Sequence, residues 1–350
     1  MGKEEVVEMV QELAESGQAL PGCYILPEKQ RPDRASPSAL DIPVIDLSLL
    51  LRETGCEDDQ AKRLQYAVQS WGLFQVIGYD LSPSFLDEVR DVVRKFFQLP
   101  MDVKQKSSNL KGEKLEPEGY GNYGVARKDQ IIDWNDRLYL SVQPEEKRRL
   151  DLWPENPCSF REILHEYTIQ TRKVAELVLL ALAKLLKLEK NYFVNQLGDT
   201  AEVRARFNYY PRCSRPDLVL GINPHSDGSL ITILLPDKEV EGLQVLRDGD
   251  WFKVPIIPHA LLINLGNQIQ IMSNGIFKSP VHRVTANSEK DRISVAMFYS
   301  LEPEKTLEAA EGVVDETRPC LYKKMRVKDF LNIFFEKYTQ GVSTIEWARI

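Results

Sequence analysis

The stretch Asp291-Arg292-Ile293-Ser294-Val295-Ala296-Met297-Phe298 alternates polar and apolar side chains. That is the period-2 pattern of a β-strand, in which residues two apart share a face. Arg292 and Ser294 point one way while Ile293 packs behind them. Arg206-Phe207-Asn208-Tyr209-Tyr210-Pro211 repeats the pattern, pairing Asn208 with Tyr210, and Pro211 suits a strand end because it donates nothing to a ladder.

Around these two stretches the texture of the chain changes after about Val203. Short apolar runs at 204–210, 230–235, 243–246, 260–265 and 293–299 are separated by Gly, Pro, Asn and Asp turns. Repeated short strands without intervening helices predict a sandwich or barrel rather than a parallel α/β sheet. Upstream, helical spacing is expected over 4–15, 58–70, 82–97 and 160–188, with strands at 42–47 and 71–77. Residues 26–40 read as an irregular connector. Residues 102–130, charged and containing several glycines, read as a mobile surface segment forming part of a substrate entrance. A helix over 326–338 closes the chain, and no internal repeat is visible. The expected organisation is α+β: a mainly helical region over 1–200 with strands contributing to the core, a strand-rich core over 201–305 and a helical segment over 306–350.

At 350 residues and net charge −7 the chain has no long basic run, which argues against a nucleic-acid partner. Five scattered cysteines without a Cys-x-x-Cys pair argue against a disulfide framework or a cysteine zinc site and fit a reducing compartment. The acidic start Met1-Gly2-Lys3-Glu4-Glu5 is not a secretory signal; Gly2 alone is a weak myristoylation mark, since Val stands at position 6. The most apolar segment, Leu177 to Leu188, contains Lys184 and Lys187 and reads as a core helix, not a membrane span. A cytoplasmic monomer acting on a small molecule is expected.

The chemistry-bearing residues are few. Of four histidines, His165 lies in a helical pattern beside Glu166 and His259 follows Pro258 in a turn. That leaves His225, in Pro224-His225-Ser226-Asp227-Gly228, and His282, in Val281-His282-Arg283. A lone His-x-Asp is common in turns. Joined by a second histidine it makes the two-histidine, one-carboxylate set that suits Fe(II) and leaves coordination positions open. Zinc accepts the same three ligands. Arg292 and Ser294 favour the first alternative. A guanidinium pointing into a barrel is costly unless an anion meets it, and its planar fork matches a carboxylate.

Several ordered motifs carry a family resemblance: Asn208-Tyr209-Tyr210-Pro211, His225-x-Asp227, Gly242-Leu243-Gln244-Val245, Leu262-Ile263-Asn264-Leu265-Gly266, Ser273-Asn274-Gly275, His282-Arg283-Val284 and Arg292-x-Ser294. With Ile42-Pro43-Val44-Ile45-Asp46-Leu47 and Trp71-Gly72 upstream, the chain from about 40 to 340 resembles the plant 2-oxoglutarate/Fe(II)-dependent dioxygenases. The branch it resembles holds a rice triketone-herbicide-oxidising dioxygenase, codeine demethylase and senescence-related proteins. The resemblance implies an α+β fold, a double-stranded β-helix (jelly-roll) core flanked by helices. It implies iron on His225, Asp227 and His282, and the far carboxylate of 2-oxoglutarate on Arg292, Ser294 and Tyr210, with Asn208 near its metal-bound end. Phe298 would line the substrate side and Tyr120 would help close it. O2 is then a co-substrate and ascorbate the reductant. The expected reaction is hydroxylation or O-demethylation of a largely apolar small molecule, with release of succinate and CO2. Two other readings stay open: an ascorbate-using iron oxidase without 2-oxoglutarate, and an inactive ligand-binding relative. The chain departs from the family pattern at Gly78-Tyr79-Asp80, where Asn-His-Gly is usual, and at Arg212-Cys213-Ser214, where Pro-Cys-Pro is usual.

Overall fold

The alternating stretch at 292–298 lies within a strand of nine residues, Arg292–Ser300, near the centre of a large sheet. The computed structural model describes residues 8–32, 42–50, 57–112, 114–122, 130–338 and 343–350. In chain order its principal strands are β1 (Val44–Asp46), β2 (Leu73–Ile77), β3 (Gly119–Gly121), β4 (Asp136–Gln143), β5 (Glu202–Tyr210) and β6 (Leu220–His225). They continue with β7 (Ile231–Pro236), β8 (Leu243–Arg247), β9 (Asp250–Lys253), β10 (Leu261–Leu265), β11 (His282–Thr285) and β12 (Arg292–Ser300). The main helices are α1 (Val10–Ser16), α2 (Glu57–Tyr66), α3 (Pro83–Phe97), α4 (Phe160–Leu185), α5 (Asn267–Met272) and α6 (Val327–Tyr338).

Eight strands form one sheet in the order β1-β2-β10-β7-β12-β5-β4-β3, and four form a second in the order β9-β8-β11-β6. Between the sheets, Leu73, Leu234, Leu262, Ala296 and Tyr210 pack against Ile222, Leu243, Val245 and Val284. The opposite face of the large sheet carries Ile231, Ile233, Ile263, Ile293, Val295 and Met297, which pack with Val174, Val178 and Leu182 of α4 and Val93 and Phe97 of α3. The alternation in β12 is therefore a division between two cores, one under the helices and one between the sheets. Each fully buried Ile, Val or Leu there contributes about 1.5–3 kcal/mol. Strands covered on both faces read as continuous apolar runs, which is why Ile231-Thr232-Ile233-Leu234-Leu235 lacks a polar side.

The helices follow ordinary end rules. The Ser82 hydroxyl accepts from the Phe85 amide ahead of Pro83, the first residue of α3, as N-cap and first-turn preferences predict. Gly17, at φ +66°, ends α1 in the left-handed region that glycine occupies without penalty. The first part of the expected 4–15 helix, Gly2, much of the 26–40 connector and residues 123–129 lie outside the described residues.

Two expectations change, and one strand is added that the sequence reading did not cover. The strand-rich half does contain a helix, α5, whose sequence Asn-Gln-Ile-Gln-Ile-Met has no amphipathic stripe because every side chain in it is buried. The 102–130 segment is not all surface, since β3 extends the large sheet at its edge and Asn109, Tyr120 and Asn122 are buried. Strand β4 carries Asp136 and Arg137 into the interior, so its charges hide a strand. At the departure Gly78-Tyr79-Asp80, the Tyr79 hydroxyl donates to the His259 carbonyl, tying the end of β2 to the turn ahead of β10. No helix among the described residues is long and apolar enough to cross a membrane.

Candidate active site

His225 is the last residue of β6 and is the direct cross-strand partner of His282, the first residue of β11, which leaves their ring centroids 4.2 Å apart. Asp227 lies just beyond the strand, held by the Asn267 amide, which donates to its backbone carbonyl at 2.7 Å. The Asp227 Oδ1 is 3.7 Å from His225 Nε2 and 3.7 Å from His282 Nε2. One ligand atom from each of the three lies within 4.8 Å of the others.

The imidazoles are oriented from behind. His225 Nδ1 is 2.9 Å from the Asn223 carbonyl and His282 Nδ1 is 3.2 Å from the Pro280 carbonyl. Carbonyls only accept, so each Nδ1 is the donor in these bonds and each Nε2 faces Asp227. Burial, and after it the neighbouring His282, pushes the His225 pKa well down, keeping the ring in the neutral form a metal requires.

A second cluster lies on the β5–β12 ladder, where Arg292 is opposite Tyr210 and Ser294 opposite Asn208. The Asn208 Nδ2 donates to Ser294 Oγ at 3.3 Å, and the Tyr210 hydroxyl shares a 3.3 Å hydrogen bond with the same oxygen. Arg292 Nε donates to the Val240 carbonyl at 3.2 Å. Gly221 leaves room for this arrangement, since a Cβ there would fall 2.7 Å from the Tyr210 ring. Arg292 is 3% exposed, yet its Nη1 has no hydrogen-bond partner among the described residues, and neither does Asn208 Oδ1. A buried guanidinium nitrogen lacking an acceptor is costly, and a bound carboxylate would remove that cost. The paired histidines, the buried carboxylate and the unsatisfied Arg292 together fit Fe(II) with a dicarboxylate co-substrate.

Beside the histidines opens a cavity of about 90 Å³ lined by His225, Asp227 and Phe298, by Tyr139, and by Leu331, Phe334 and Phe335 of α6. Arg204 and Arg206 also line it. They lie on the face of β5 that carries Asn208 and Tyr210, so extending the i, i+2 rule two steps back along the strand finds them. The Tyr139 ring lies near two cations, with the Arg137 and Arg204 guanidinium carbons 5.4 and 5.9 Å from its centroid. The α6 wall has no comparable local mark, because its partners are about a hundred residues distant in the chain. Gly228 is where the wall meets the loop that carries Asp227, and a Cβ there would fall 2.9 Å from the Phe334 ring.

The structure thus brings together His225, Asp227 and His282, groups Arg292, Ser294, Tyr210 and Asn208 in a second cluster, and places Phe298 in the cavity wall. Tyr120 is elsewhere, correcting its expected place at the substrate. It is 2% exposed, its hydroxyl reaches the Met101 sulfur at 3.8 Å, and its ring packs on Phe96 and Phe97. In Gly119-Tyr120-Gly121 the glycines are the close-packed positions of an edge strand, not the hinges of a loop.

Comparison with known proteins gives two family models. The 2OG-Fe(II) oxygenase superfamily model matches residues 202–301, and the model for the N-terminal region of non-haem dioxygenases in morphine synthesis matches residues 42–156. Jasmonate-induced oxygenase 2 of Arabidopsis thaliana is 37% identical over 98% of this chain and 93% of its own. Codeine O-demethylase of Papaver somniferum is 34% identical over 88% of this chain and 85% of its own. The crystal structure of JOX2 in complex with 2OG, Fe and JA superposes with a TM-score of 0.89 at 35% identity, covering 99% of this chain and 98% of that one.

Proposed function

Because the chain belongs to the 2OG-Fe(II) oxygenase superfamily, we propose that it oxidises a C–H bond of a largely apolar small molecule carrying an acidic group. It is an oxidoreductase of the dioxygenase type that uses Fe(II), 2-oxoglutarate and O2, and ascorbate is typical of its family. In the proposed assignment His225, Asp227 and His282 hold the metal, while Arg292, Ser294 and Tyr210 hold the far carboxylate of 2-oxoglutarate. Bound there, the metal and co-substrate supply oxidation of a substrate C–H bond with release of succinate and CO2; on an O-methyl carbon, hydroxylation leads to demethylation.

The chain's own residues do the rest. The Nδ1–H bonds to Asn223 and Pro280 hold both rings with Nε2 turned to Asp227. Phe298, Leu331, Phe334 and Phe335 exclude water and press an apolar substrate body toward the metal side.

The observation that carries the acid-bearing substrate is the pair Arg204 and Arg206 in a cavity that also presents the rings of Tyr139, Phe298, Phe334 and Phe335, with Glu202 and Asp227 as its carboxylates. Arg204 has Glu202 at 3.4 Å and Arg206 has Asp133 at 3.8 Å. Arg204 is also hydrogen-bonded to Tyr139, and a substrate carboxylate would compete with these partners through the bidentate geometry arginine favours. A solved relative that holds JA in its complex adds support from similarity. The test is succinate release by purified protein with Fe(II), ascorbate and 2-oxoglutarate, screened over paired carboxylic acids and methyl esters, with JA in the panel. Turnover of acids at least tenfold above their esters is expected. Equal turnover of acid and ester would overturn the acid requirement, and product formed without succinate would overturn the co-substrate assignment.

A further inference from the structure

Strand β10 reads Leu261-Leu262-Ile263-Asn264-Leu265, and Asn264 is its one polar side chain. It is 3% exposed and faces the space between the sheets, where its direct cross-strand partners are Leu73 and Thr232. A leucine there would extend the apolar layer. Instead the Asn264 Nδ2 donates to Asp227 Oδ2 at 3.4 Å, while its Oδ1 has no partner among the described residues. A buried amide with one end unsatisfied is a poor structural choice. The amide must be oriented this way, because its oxygen would repel the carboxylate.

The two oxygens of Asp227 thereby face different groups. Oδ1 faces both histidine Nε2 atoms, and Oδ2 is turned to Asn264. The chain that follows Asn264 braces the same loop. The Asn267 amide donates to the Asp227 carbonyl at 2.7 Å, and Gln268 Nε2 donates to the Gly228 carbonyl at 2.9 Å. A Cβ on Gly266 would fall 1.9 Å from the Ser229 carbonyl oxygen, so strand end and metal loop are in direct backbone contact.

We propose that Asn264 is a positioning residue that keeps Asp227 a one-oxygen ligand. By occupying Oδ2 it stops the carboxylate from chelating, and so preserves the open metal positions that a keto acid and dioxygen must share. This rests on the assignment of Asp227 as a ligand. A partner one step removed from the metal of this kind is worth about ten- to hundredfold in metal affinity.

The test uses the full chain and Mn(II) as the probe. N264L and the milder N264S should each raise the Mn(II) dissociation constant about ten- to hundredfold, with the melting temperature of the metal-free protein within a few degrees of wild type. At saturating Fe(II) without oxygen, both should weaken the visible charge-transfer band that reports 2-oxoglutarate chelation. Mn(II) affinity within twofold of wild type in a folded variant would overturn the proposal. So would a structure of the Mn(II)-loaded wild-type protein with Oδ2 bonded to the metal, however the variants fold. Wild-type protein that bound no Mn(II) would overturn the ligand assignment, and this inference with it.

Discussion

The guanidinium of Arg292 lies across the ring of Tyr210, its central carbon 4.9 Å from the ring centroid, and the two are direct cross-strand partners. The ring fixes the plane of the fork while Val240 and Ser294 fix its surroundings, so the unsatisfied Nη1 is already aimed before any anion arrives. Arg292→Leu should weaken 2-oxoglutarate binding by about 3 kcal/mol, roughly a hundredfold. Tyr210→Phe keeps the ring and loses one hydrogen bond, about 1 kcal/mol. Titration of 2-oxoglutarate into the Mn(II) protein separates the two. Equal effects would mean that the ring's hydroxyl, not the charge, holds the carboxylate.

Metal binding should stabilise the fold by linkage. Mn(II) at about 100 times its dissociation constant adds roughly 2.7 kcal/mol, read as a rise of several degrees in melting temperature that EDTA reverses. His225→Ala should remove that rise and turnover together while the metal-free protein still folds. A variant that kept the metal-dependent shift would exclude His225 as a ligand.

Gly228 and Phe334 set the distance between the metal loop and α6. Gly228→Ala forces a methyl against the ring at 2.9 Å and should cost about 1–3 kcal/mol by overpacking. Phe334→Leu should recover part of that loss in the double variant. Phe334→Ala alone should widen the cavity and raise turnover of bulkier substrates relative to small ones. Additive stabilities in the double-variant cycle would show that the two residues are not coupled.

Asp136 gives a pH dependence far from the metal. It is fully buried, and its two carboxylate oxygens accept from the Val10 and Gln11 amides at 2.8 and 3.0 Å, which ties α1 to β4. Burial nonetheless pushes its carboxyl up to about 6, against those amides and the nearby Lys104. The folded protein therefore holds a proton that the unfolded chain has released above about pH 4. Its stabilising contribution is complete below about pH 4 and is lost as the pH rises through 6, by roughly 3 kcal/mol. Asp136→Asn should flatten the urea-unfolding free energy across that window. An unchanged slope would show that another group titrates there.

The residues proposed for metal and co-substrate could be picked out because few candidates existed and a two-residue period sorted them. Four histidines, one His-x-Asp and two alternating strands left little choice. Asp227 is the exception in detail, since it lies past the end of β6 in a turn, and its aim comes from Asn264 and Asn267 rather than from strand alternation. Arg204 and Arg206 obeyed the same period but were hidden by reading the strand only from its motif. Tyr120 misled because Gly-Tyr-Gly has the composition of a loop, and only the neighbouring strand reveals an edge. The α6 wall was beyond reach, as nothing local in Leu331 or Phe334 says which distant loop they will face.

That wall comes from a helix near the end of the chain, whereas every proposed metal and co-substrate residue belongs to the two sheets or the turns between them. One wall of the cavity is thus written apart from those residues, while Arg204, Arg206 and Phe298 share strands with them. Descendants of such a chain can exchange one surface of the chamber, acquire a new diet of molecules and never disturb the instrument that burns them.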